Sequence, residues 1–337
     1  MLGKKVLGTA LICAMALPAI AGTLQDTIKQ GYIKCGVNNG LAGFSEVGAN
    51  KKWKGLDVDV CRAVAAAVLG DASKVRFVPL DAKERFTALQ TGEVDVLSRN
   101  TTWTESRDSS LGINFAGVDY YDGQGFLVSK KLGVKHLKDL NGASICINAG
   151  TTTELNVADY FNSHHLKYKS IDYDTTPETT KAFQAGRCDA ITSDRSQLAA
   201  ERTKLKNPKS YVILPEIISK EPLGPSVRQG DDVWFNIVKW SYSAMVEAEE
   251  LGITSQNVDK IAKTTSSPTV KRFLGITGTM GKNLHLNKKW AYNIVKQVGN
   301  YGQSYKRNVG MDSALKIPRG INKLWNKGGL QFSPPFD

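Results

Sequence analysis

Apolar positions along this 337-residue chain follow two alternating spacings. Short continuous apolar runs predict strands at 32–37, 75–79 and 144–148. Apolar residues at every third or fourth position predict helices at 56–69 and at about 82–90. A long helix is predicted from a cap at Asp231 to about Leu251, where Gly252 ends it. Strands that alternate with helices in this way predict an α/β fold with mostly parallel sheets.

Two stretches of the chain, 88–98 and 182–192, repeat one pattern. Each combines the end of a predicted helix, a glycine, and a short apolar strand with polar residues at its end. The glycines, Gly92 and Gly186, lie 94 residues apart, which is too far for a solenoid repeat. Two similar α/β lobes explain the repetition, and chance recurrence of a common helix–glycine–strand unit is the alternative.

The order of the elements predicts how the two lobes are connected. Extended segments at 124–129 and 223–228 are predicted to cross between the lobes as a two-strand hinge. We therefore assign 22–128 and 225–337 to the first lobe and 129–224 to the second. The tail after about Gly252 is basic and rich in aromatic residues, and we expect it to pack against the first lobe. Single-stranded nucleic acid is the less favoured explanation of that composition.

The N-terminus has the three parts of a secretory signal peptide. Lys4 and Lys5 precede an apolar run at 6–16, and small residues follow at Ala19 and Ala21. The apolar run is shorter than the roughly 20 residues that span a bilayer, so a membrane anchor is the less favoured alternative. We expect cleavage after residue 21 and a soluble periplasmic protein.

The cysteines agree with an oxidising compartment. Cys13 leaves with the signal peptide, and four cysteines remain, namely Cys35, Cys61, Cys146 and Cys188. An even number predicts two disulfides with three possible pairings, and four free thiols are the alternative. The order along the chain favours Cys35–Cys61 and Cys146–Cys188, one in each half of the protein.

Composition narrows the function classes further. The chain is 41% hydrophobic and 23% charged, which excludes a disordered or collagen-like protein. Its net charge of +12 permits contact with nucleic acid, but the basic residues form no run of five or six, so we expect no nucleic-acid partner. The four histidines lack a metal-ligand spacing, and the chain has no nucleotide-binding or hydrolase motif. We expect no metal, no cofactor and no enzymatic activity.

Polar residues at the ends of the repeated strands form a candidate binding site, because ligands of open α/β sheets bind beyond those ends. The first lobe offers Asn100, Thr102 and Arg107, and the second offers Thr151, Thr152 and Asp194. Arg107 and the backbone at 151–152 suit a carboxylate, where Thr151 and Glu154 have the spacing of a capping box. Asp194 and Thr102 suit an ammonium group. Together they predict an α-amino acid site, although each residue alone could be a surface arginine or a helix cap.

One stretch resembles the signature of a known family. Gly55-Leu-Asp-Val-Asp-Val60, followed by Val64-Ala65 and Val68, is similar to family 3 of the bacterial extracellular solute-binding proteins. The resemblance extends over roughly 33–252. It implies the type II periplasmic-binding-protein fold, in which two lobes joined by a two-strand hinge close on a free amino acid. It also implies a monomer that delivers its ligand to the permease subunits of an ABC importer in the inner membrane.

The resemblance also implies roles for individual residues. Arg107 would bind the ligand carboxylate, Thr152 would be the backbone donor of the second lobe, and Asp194 would bind the ammonium group. Thr102 and Asn100 fall on further contact positions of the first lobe. Arg85 matches an extra arginine of the glutamate and aspartate binders, whereas their other side-chain arginine is replaced by Asn38. These two positions predict a broad site for glutamate, glutamine, aspartate and asparagine.

Two other functions stay open on the same fold. One is a periplasmic dehydratase-like enzyme, for which Asp194 is the acid group visible at the predicted cleft. The other is a binding protein that presents its ligand to a chemosensory receptor, which sequence patterns do not separate from transport.

Overall fold

The computed structural model describes residues 22–337, so the predicted signal peptide lies outside the described residues. Two five-stranded sheets form the centres of two lobes. The first sheet has the strand order Val75–Leu80, Ile33–Asn38, Val96–Leu97, Ser226–Arg228 and Ile113–Phe115. The second has the order Tyr168–Tyr173, Ala143–Asn148, Ala190–Asp194, Gln124–Ser129 and Tyr211–Ile213. This is the predicted α/β architecture with two lobes.

Four strands of each sheet run in one direction, which confirms the mostly parallel arrangement. The exceptions are Ser226–Arg228 in the first sheet and Gln124–Ser129 in the second, each antiparallel to both of its neighbours. Each of these two strands is the first one that the chain adds after it crosses from the other lobe. One antiparallel strand thus enters each sheet at the same position in the strand order, and the two sheets have the same topology.

The chain crosses between the lobes along a short antiparallel pair that we call the crossover ribbon, Tyr120–Asp122 with Glu221–Leu223. The prediction that 124–129 is a crossing strand is wrong, because that strand pairs within the second sheet. The expected boundary at 128 therefore lies several residues too late. Next to the ribbon the two segments approach closely at Gly117 and Gly224: a Cβ at Gly224 would lie 1.9 Å from the Gly117 carbonyl oxygen.

Helices cover both sheets. Those of the first lobe are Thr23–Gln30, Leu56–Leu69, Arg85–Gln90, Glu105–Ser110 and Asp232–Glu250. Those of the second lobe are Thr153–Ser163, Thr176–Gln184 and Arg195–Lys204. Asp231 caps the long helix by accepting a hydrogen bond from the Trp234 N–H, as predicted. Among residues 22–337, no helix is long and apolar enough to cross a bilayer.

One predicted helix start is wrong. The second lobe's first helix begins at Thr153, and Thr151 and Glu154 do not form a capping box. Instead Gly150, with φ at +75°, turns the chain so that its N–H donates to the Glu154 carboxylate at 3.0 Å. The Thr151 hydroxyl donates to the Asn148 carbonyl at 2.8 Å. The turn thus satisfies both side chains locally before the helix begins.

The C-terminal extension, 258–337, is helical and packs on the first lobe. Its α-helices are Val258–Thr264, Pro268–Phe273, Met280–Asn283, Trp290–Gln297 and Tyr301–Asn308. Trp290, Ile294 and Tyr301 belong to one buried apolar cluster with Ala63 of the helix Leu56–Leu69 and Met245 of the helix Asp232–Glu250. The extension and the first lobe therefore share a core.

Both predicted disulfides are present. Cys35 on the strand Ile33–Asn38 bonds to Cys61 on the helix Leu56–Leu69, with a sequence separation of 26. In the second lobe, Cys146 on the strand Ala143–Asn148 bonds to Cys188, which lies just before the strand Ala190–Asp194, with a sequence separation of 42. Each bond joins elements of one lobe, so neither restricts movement between the lobes.

Candidate ligand-binding site

A small polar cavity lies between the lobes, at the ends of their parallel strands. Residues from both lobes line it, namely Arg85, Arg99, Asn100, Thr102, Asn148, Thr151, Thr152, Thr153, Thr176, Ser193, Asp194 and Gln197. Six of the predicted site residues are in this lining, and Asn38 and Arg107 are not. The predicted site is therefore assembled for the most part where the strand ends meet.

Arg85 brings an uncompensated positive charge to the cavity wall. It is 3% exposed, and its Nε lacks a hydrogen-bond partner within the described part of the chain. Its other nitrogens donate weakly, to the Thr101 hydroxyl at 3.4 Å and to the Gly150 carbonyl at 3.3 Å. Burial, and then the nearby Arg107 and Arg99, lower the pKa of Arg85 well below its usual range. An anion in the cavity would relieve this desolvation and repulsion.

Asp194 brings the opposite charge from the second lobe. It is the last residue of a buried strand and lines the cavity. Burial raises the pKa of its carboxyl well above the usual value, and Asp122 and Glu221 raise it further, against smaller effects of Arg85 and Arg107. A bound cation would favour the ionised form. The cavity thus has a buried guanidinium on one lobe and a buried carboxyl group on the other.

Arg107 lies beside the cavity and not in its wall. Its Nη1 donates to the Thr102 carbonyl at 2.9 Å, and its guanidinium lies 5.1 Å from the centre of the Phe86 ring. The guanidinium of Arg85 packs on the same ring at 4.8 Å. Phe86 therefore holds two arginines side by side, and Arg107 is near enough to the site for its charge to lower the pKa of Asp194.

Asn38 supports the site through Asn100. The Asn38 side-chain amide donates to Asn100 Oδ1 at 3.1 Å, and the Asn100 side-chain amide donates to Gln197 Oε1 of the other lobe at 3.2 Å. Asn100 has a positive φ of 37°, and its N–H donates to the Asp57 carboxylate at 2.9 Å. Asn38 is therefore a positioning residue, because its contact with a ligand would have to pass through Asn100.

The Thr102 hydroxyl, which was predicted to meet the ligand, is instead bonded to Glu221 of the crossover ribbon. Thr102 donates to Glu221 Oε2 at 2.6 Å, and Thr152 donates to the same oxygen at 2.9 Å. Asn156 and Ser219 donate to Oε1 at 2.7 and 2.6 Å. Glu221 is 1% exposed and connects the first lobe to the second directly behind the cavity. The proposed role of the Thr102 hydroxyl in binding an ammonium group is therefore not supported.

Sequence reasoning missed several lining residues. Asn148 ends a predicted strand and Ser193 precedes Asp194, so the rule that ligands bind at strand ends could have found both. Thr176 and Gln197 lie in the first turns of helices, where no motif marks them. Glu221 had no sequence signal, because its importance comes from donors that are far apart in the chain.

Other contacts hold the lobes together around the cavity. Lys83 of the first lobe pairs with Asp174 of the second. Lys204 of the second lobe donates to the Gly40 carbonyl of the first at 2.8 Å. These contacts lie on the rims of the cavity, so the structure is a closed arrangement of the two lobes. In the region that the structure covers, no group of His, Cys, Asp and Glu could hold a metal ion.

Comparison with known proteins identifies similar chains. The model of the bacterial extracellular solute-binding proteins, family 3, matches residues 33–257. The putative amino-acid ABC transporter-binding protein YhdW of Escherichia coli is 56% identical, over 97% of this chain and 96% of that protein. The general L-amino acid-binding periplasmic protein AapJ of Rhizobium johnstonii is 55% identical, over 98% and 97%.

A solved structure has the same fold along nearly the whole chain. It is an ABC transporter periplasmic binding protein from Brucella ovis with glutathione bound, 53% identical, with a TM-score of 0.92. The match covers 94% of this chain and all of the other. The similarity therefore includes the C-terminal extension as well as the two lobes.

Proposed function

Because the chain belongs to family 3 of the bacterial extracellular solute-binding proteins, we propose that it is the periplasmic substrate-binding component of an ABC importer for polar L-amino acids. The observation that carries the proposal is the pair of opposite buried charges in one cavity. Arg85 Nε has no acceptor among residues 22–337, and the Asp194 carboxyl is desolvated in the facing wall. An acidic amino acid supplies a partner for each, with its ammonium group at Asp194 and its side-chain carboxylate at Arg85.

We assign the α-ammonium group of the ligand to Asp194. The carboxylates Asp122 and Glu221 lie near Asp194, so this end of the cavity is the more negative one. The α-carboxylate then faces Arg107 and the N-terminus of the helix Thr153–Ser163, where backbone N–H groups and the helix dipole favour an anion. This orientation places the amino acid side chain towards Arg85.

The remaining polar groups support broad specificity for the side chain. Arg85 and Arg99 suit a carboxylate. Burial lowers the pKa of Arg99 only to about 10, so Arg99 stays cationic at neutral pH. Gln197 has an amide that can both donate and accept, which suits glutamine and asparagine. Glutamate, glutamine, aspartate and asparagine are therefore the expected ligands. The breadth agrees with the name of the general L-amino acid-binding relative.

Binding and closure are linked in this proposal. A ligand that bridges Arg107 and Asp194 makes contacts with both lobes only when the cleft is closed. Its affinity for the closed form then exceeds that for the open form, and this difference shifts the equilibrium. The closed protein would next dock on the permease subunits, with the crossover ribbon as its hinge.

Titration calorimetry on ligand-stripped mature protein tests the site. We expect binding of glutamate and glutamine to be strongly weakened in Arg107→Ala and Asp194→Asn. Arg76→Ala and Asp172→Asn remove the same charges from exposed positions of the same lobes and should bind as the parent does. Parent-like binding by both site variants would refute the assignment.

Two ligand experiments separate the remaining alternatives. Glutathione carries an α-ammonium and an α-carboxylate on its glutamyl end, so it can offer the same two groups and belongs in the titration. Incubation with prephenate and arogenate tests the dehydratase alternative, and we expect no loss of either compound. Consumption of either one would make the protein an enzyme.

A further inference from the structure

The C-terminal extension lies beyond the part of the chain that the family model matches, and its position gives it a role. Its residues bond to the backbone of the segment that enters the crossover ribbon. The Asn322 side chain accepts from the Tyr121 N–H at 2.7 Å and donates to the Tyr121 carbonyl at 3.0 Å. The Tyr301 hydroxyl donates to the Asp119 carbonyl at 2.8 Å. The extension thus extends the ribbon as a further strand would.

Neighbouring contacts strengthen this attachment. The Gln331 amide donates to the Val118 carbonyl at 3.3 Å and to the Tyr301 hydroxyl at 3.1 Å. The ring of Tyr305 stacks on that of Tyr120 at 6.0 Å, with 4° between the planes. Four consecutive residues, 118–121, are therefore held by the extension, and these same residues connect the lobes.

The extension also faces the second lobe across a groove behind the ribbon, which we call the rear groove. The segment 317–322 of the extension lines one side, and Ser196, Ala199 and Ile217 of the second lobe line the other. Ile217 is 58% exposed and Ile321 is 52% exposed, so apolar side chains face each other across open space.

The rear groove and the ligand cavity lie on opposite sides of one helix, Arg195–Lys204. Gln197 on this helix lines the ligand cavity, whereas Ser196 and Ala199 line the rear groove. In an α-helix these positions point in different directions. A rotation about the ribbon that opens the ligand cavity therefore moves the helix towards the extension and narrows the rear groove.

We propose that the C-terminal extension sets how far the protein opens, by holding one strand of the hinge and by stopping the second lobe at the rear groove. The proposal rests on the proposed function, since it assumes that ligand binding closes the lobes. Restricting the open form shifts the equilibrium between the two forms towards the closed one. A larger closed fraction lowers the apparent dissociation constant of the ligand. The extension thereby tunes affinity without touching the ligand.

Two substitutions move the open form in opposite directions. Ile321→Trp adds bulk to the rear groove and should restrict opening, with Met311→Trp as the control at an exposed position of the extension. Asn322→Ala removes both hydrogen bonds to Tyr121 and should widen opening, with exposed Asn326→Ala as its control. Spin labels on cysteines at Thr87 and Lys181, exposed on opposite lips of the cleft, report the distance between the lobes.

The outcomes separate this proposal from the proposed function. Without ligand, we expect a shorter label distance than in the parent for Ile321→Trp and a longer or broader one for Asn322→Ala. Glutamate should bind about three- to tenfold more tightly to Ile321→Trp and about three- to tenfold more weakly to Asn322→Ala than to the parent. If glutamate shortens the label distance in the parent but both variants match their controls, the role of the extension is refuted. If glutamate does not shorten the label distance in the parent, closure on the ligand is refuted.

Discussion

Replacement of Arg85 by glutamine should discriminate between acidic and amide ligands. The Arg85 guanidinium is buried, its Nε has no partner among the described residues, and its two hydrogen bonds are 3.3 and 3.4 Å long. The rest of the protein therefore occupies little of the hydrogen-bonding capacity of the Arg85 guanidinium. A ligand carboxylate would form an ion pair with hydrogen bonds there, whereas a ligand amide would accept hydrogen bonds from the guanidinium without carrying an opposite charge.

The size of the effect follows from these contacts. Truncating one partner of a buried, hydrogen-bonded charge pair costs about 2–5 kcal/mol. Arg99 also lines the cavity and compensates in part, so we expect the lower part of that range. A loss of about 2–3 kcal/mol weakens glutamate binding about 30- to 150-fold. A ligand amide loses only the difference between a hydrogen bond to a charged group, about 1.5–3 kcal/mol, and the neutral bond of about 0.5–1.5 kcal/mol that the introduced glutamine side chain can still form. Glutamine binding should therefore weaken about tenfold.

Calorimetric titration of glutamate and glutamine against the parent, Arg85→Gln, Arg85→Lys and the surface control Arg76→Ala measures this difference. Arg85→Lys retains the charge without the planar fork and should lie between the parent and Arg85→Gln. The unliganded Arg85→Gln protein should be no less stable than the parent, since it loses an uncompensated buried charge. Equal weakening of both ligands would show that Arg85 does not contact the ligand side chain.

Three further predictions concern protonation, the ribbon and the disulfides. Burial raises the pKa of Asp194 and a ligand ammonium group lowers it, so binding should release a proton in mildly acidic buffer and affinity should fall as the pH falls. Calorimetry in buffers of different ionisation enthalpy measures the proton release, and Asp194→Asn should abolish it. Glu221→Gln turns an amide towards two donors of this network and should lower the free energy of unfolding by about 1–3 kcal/mol in urea titration; an unchanged midpoint would contradict the network. Replacing Cys146 and Cys188 by alanine opens a loop closed over a separation of 42 residues and should cost about 4 kcal/mol in the same assay, and a loss below 1 kcal/mol would contradict the chain-entropy account.

Local sequence patterns predicted those parts of the fold that depend on neighbouring residues. The helix Leu56–Leu69 has the predicted bounds, and Asp231 caps the long helix as its spacing indicated. The predicted cysteine pairing was confirmed. It could be predicted because each disulfide lies within one lobe, where residues close in sequence order are also close in space. The family resemblance was confirmed by the match over 33–257.

Features that depend on two distant segments were not predicted. The Thr102 and Thr152 hydroxyls are bonded to Glu221, which approaches them only because the chain returns to the first lobe there. The crossing strand was placed too late, since an extended apolar pattern does not show which sheet a strand joins. The capping box was wrong because the turn at Gly150 uses the Glu154 side chain before the helix begins.

The central claim is that this protein binds polar L-amino acids between its lobes. The most direct test is the melting temperature of the mature chain, refolded free of carried-over ligand, against each of the twenty L-amino acids. A ligand at 100 times its dissociation constant adds about 2.7 kcal/mol of stability, which gives a clear upward shift. We predict shifts for glutamate, glutamine, aspartate and asparagine together. A panel in which none of the twenty raises the melting temperature would contradict the claim.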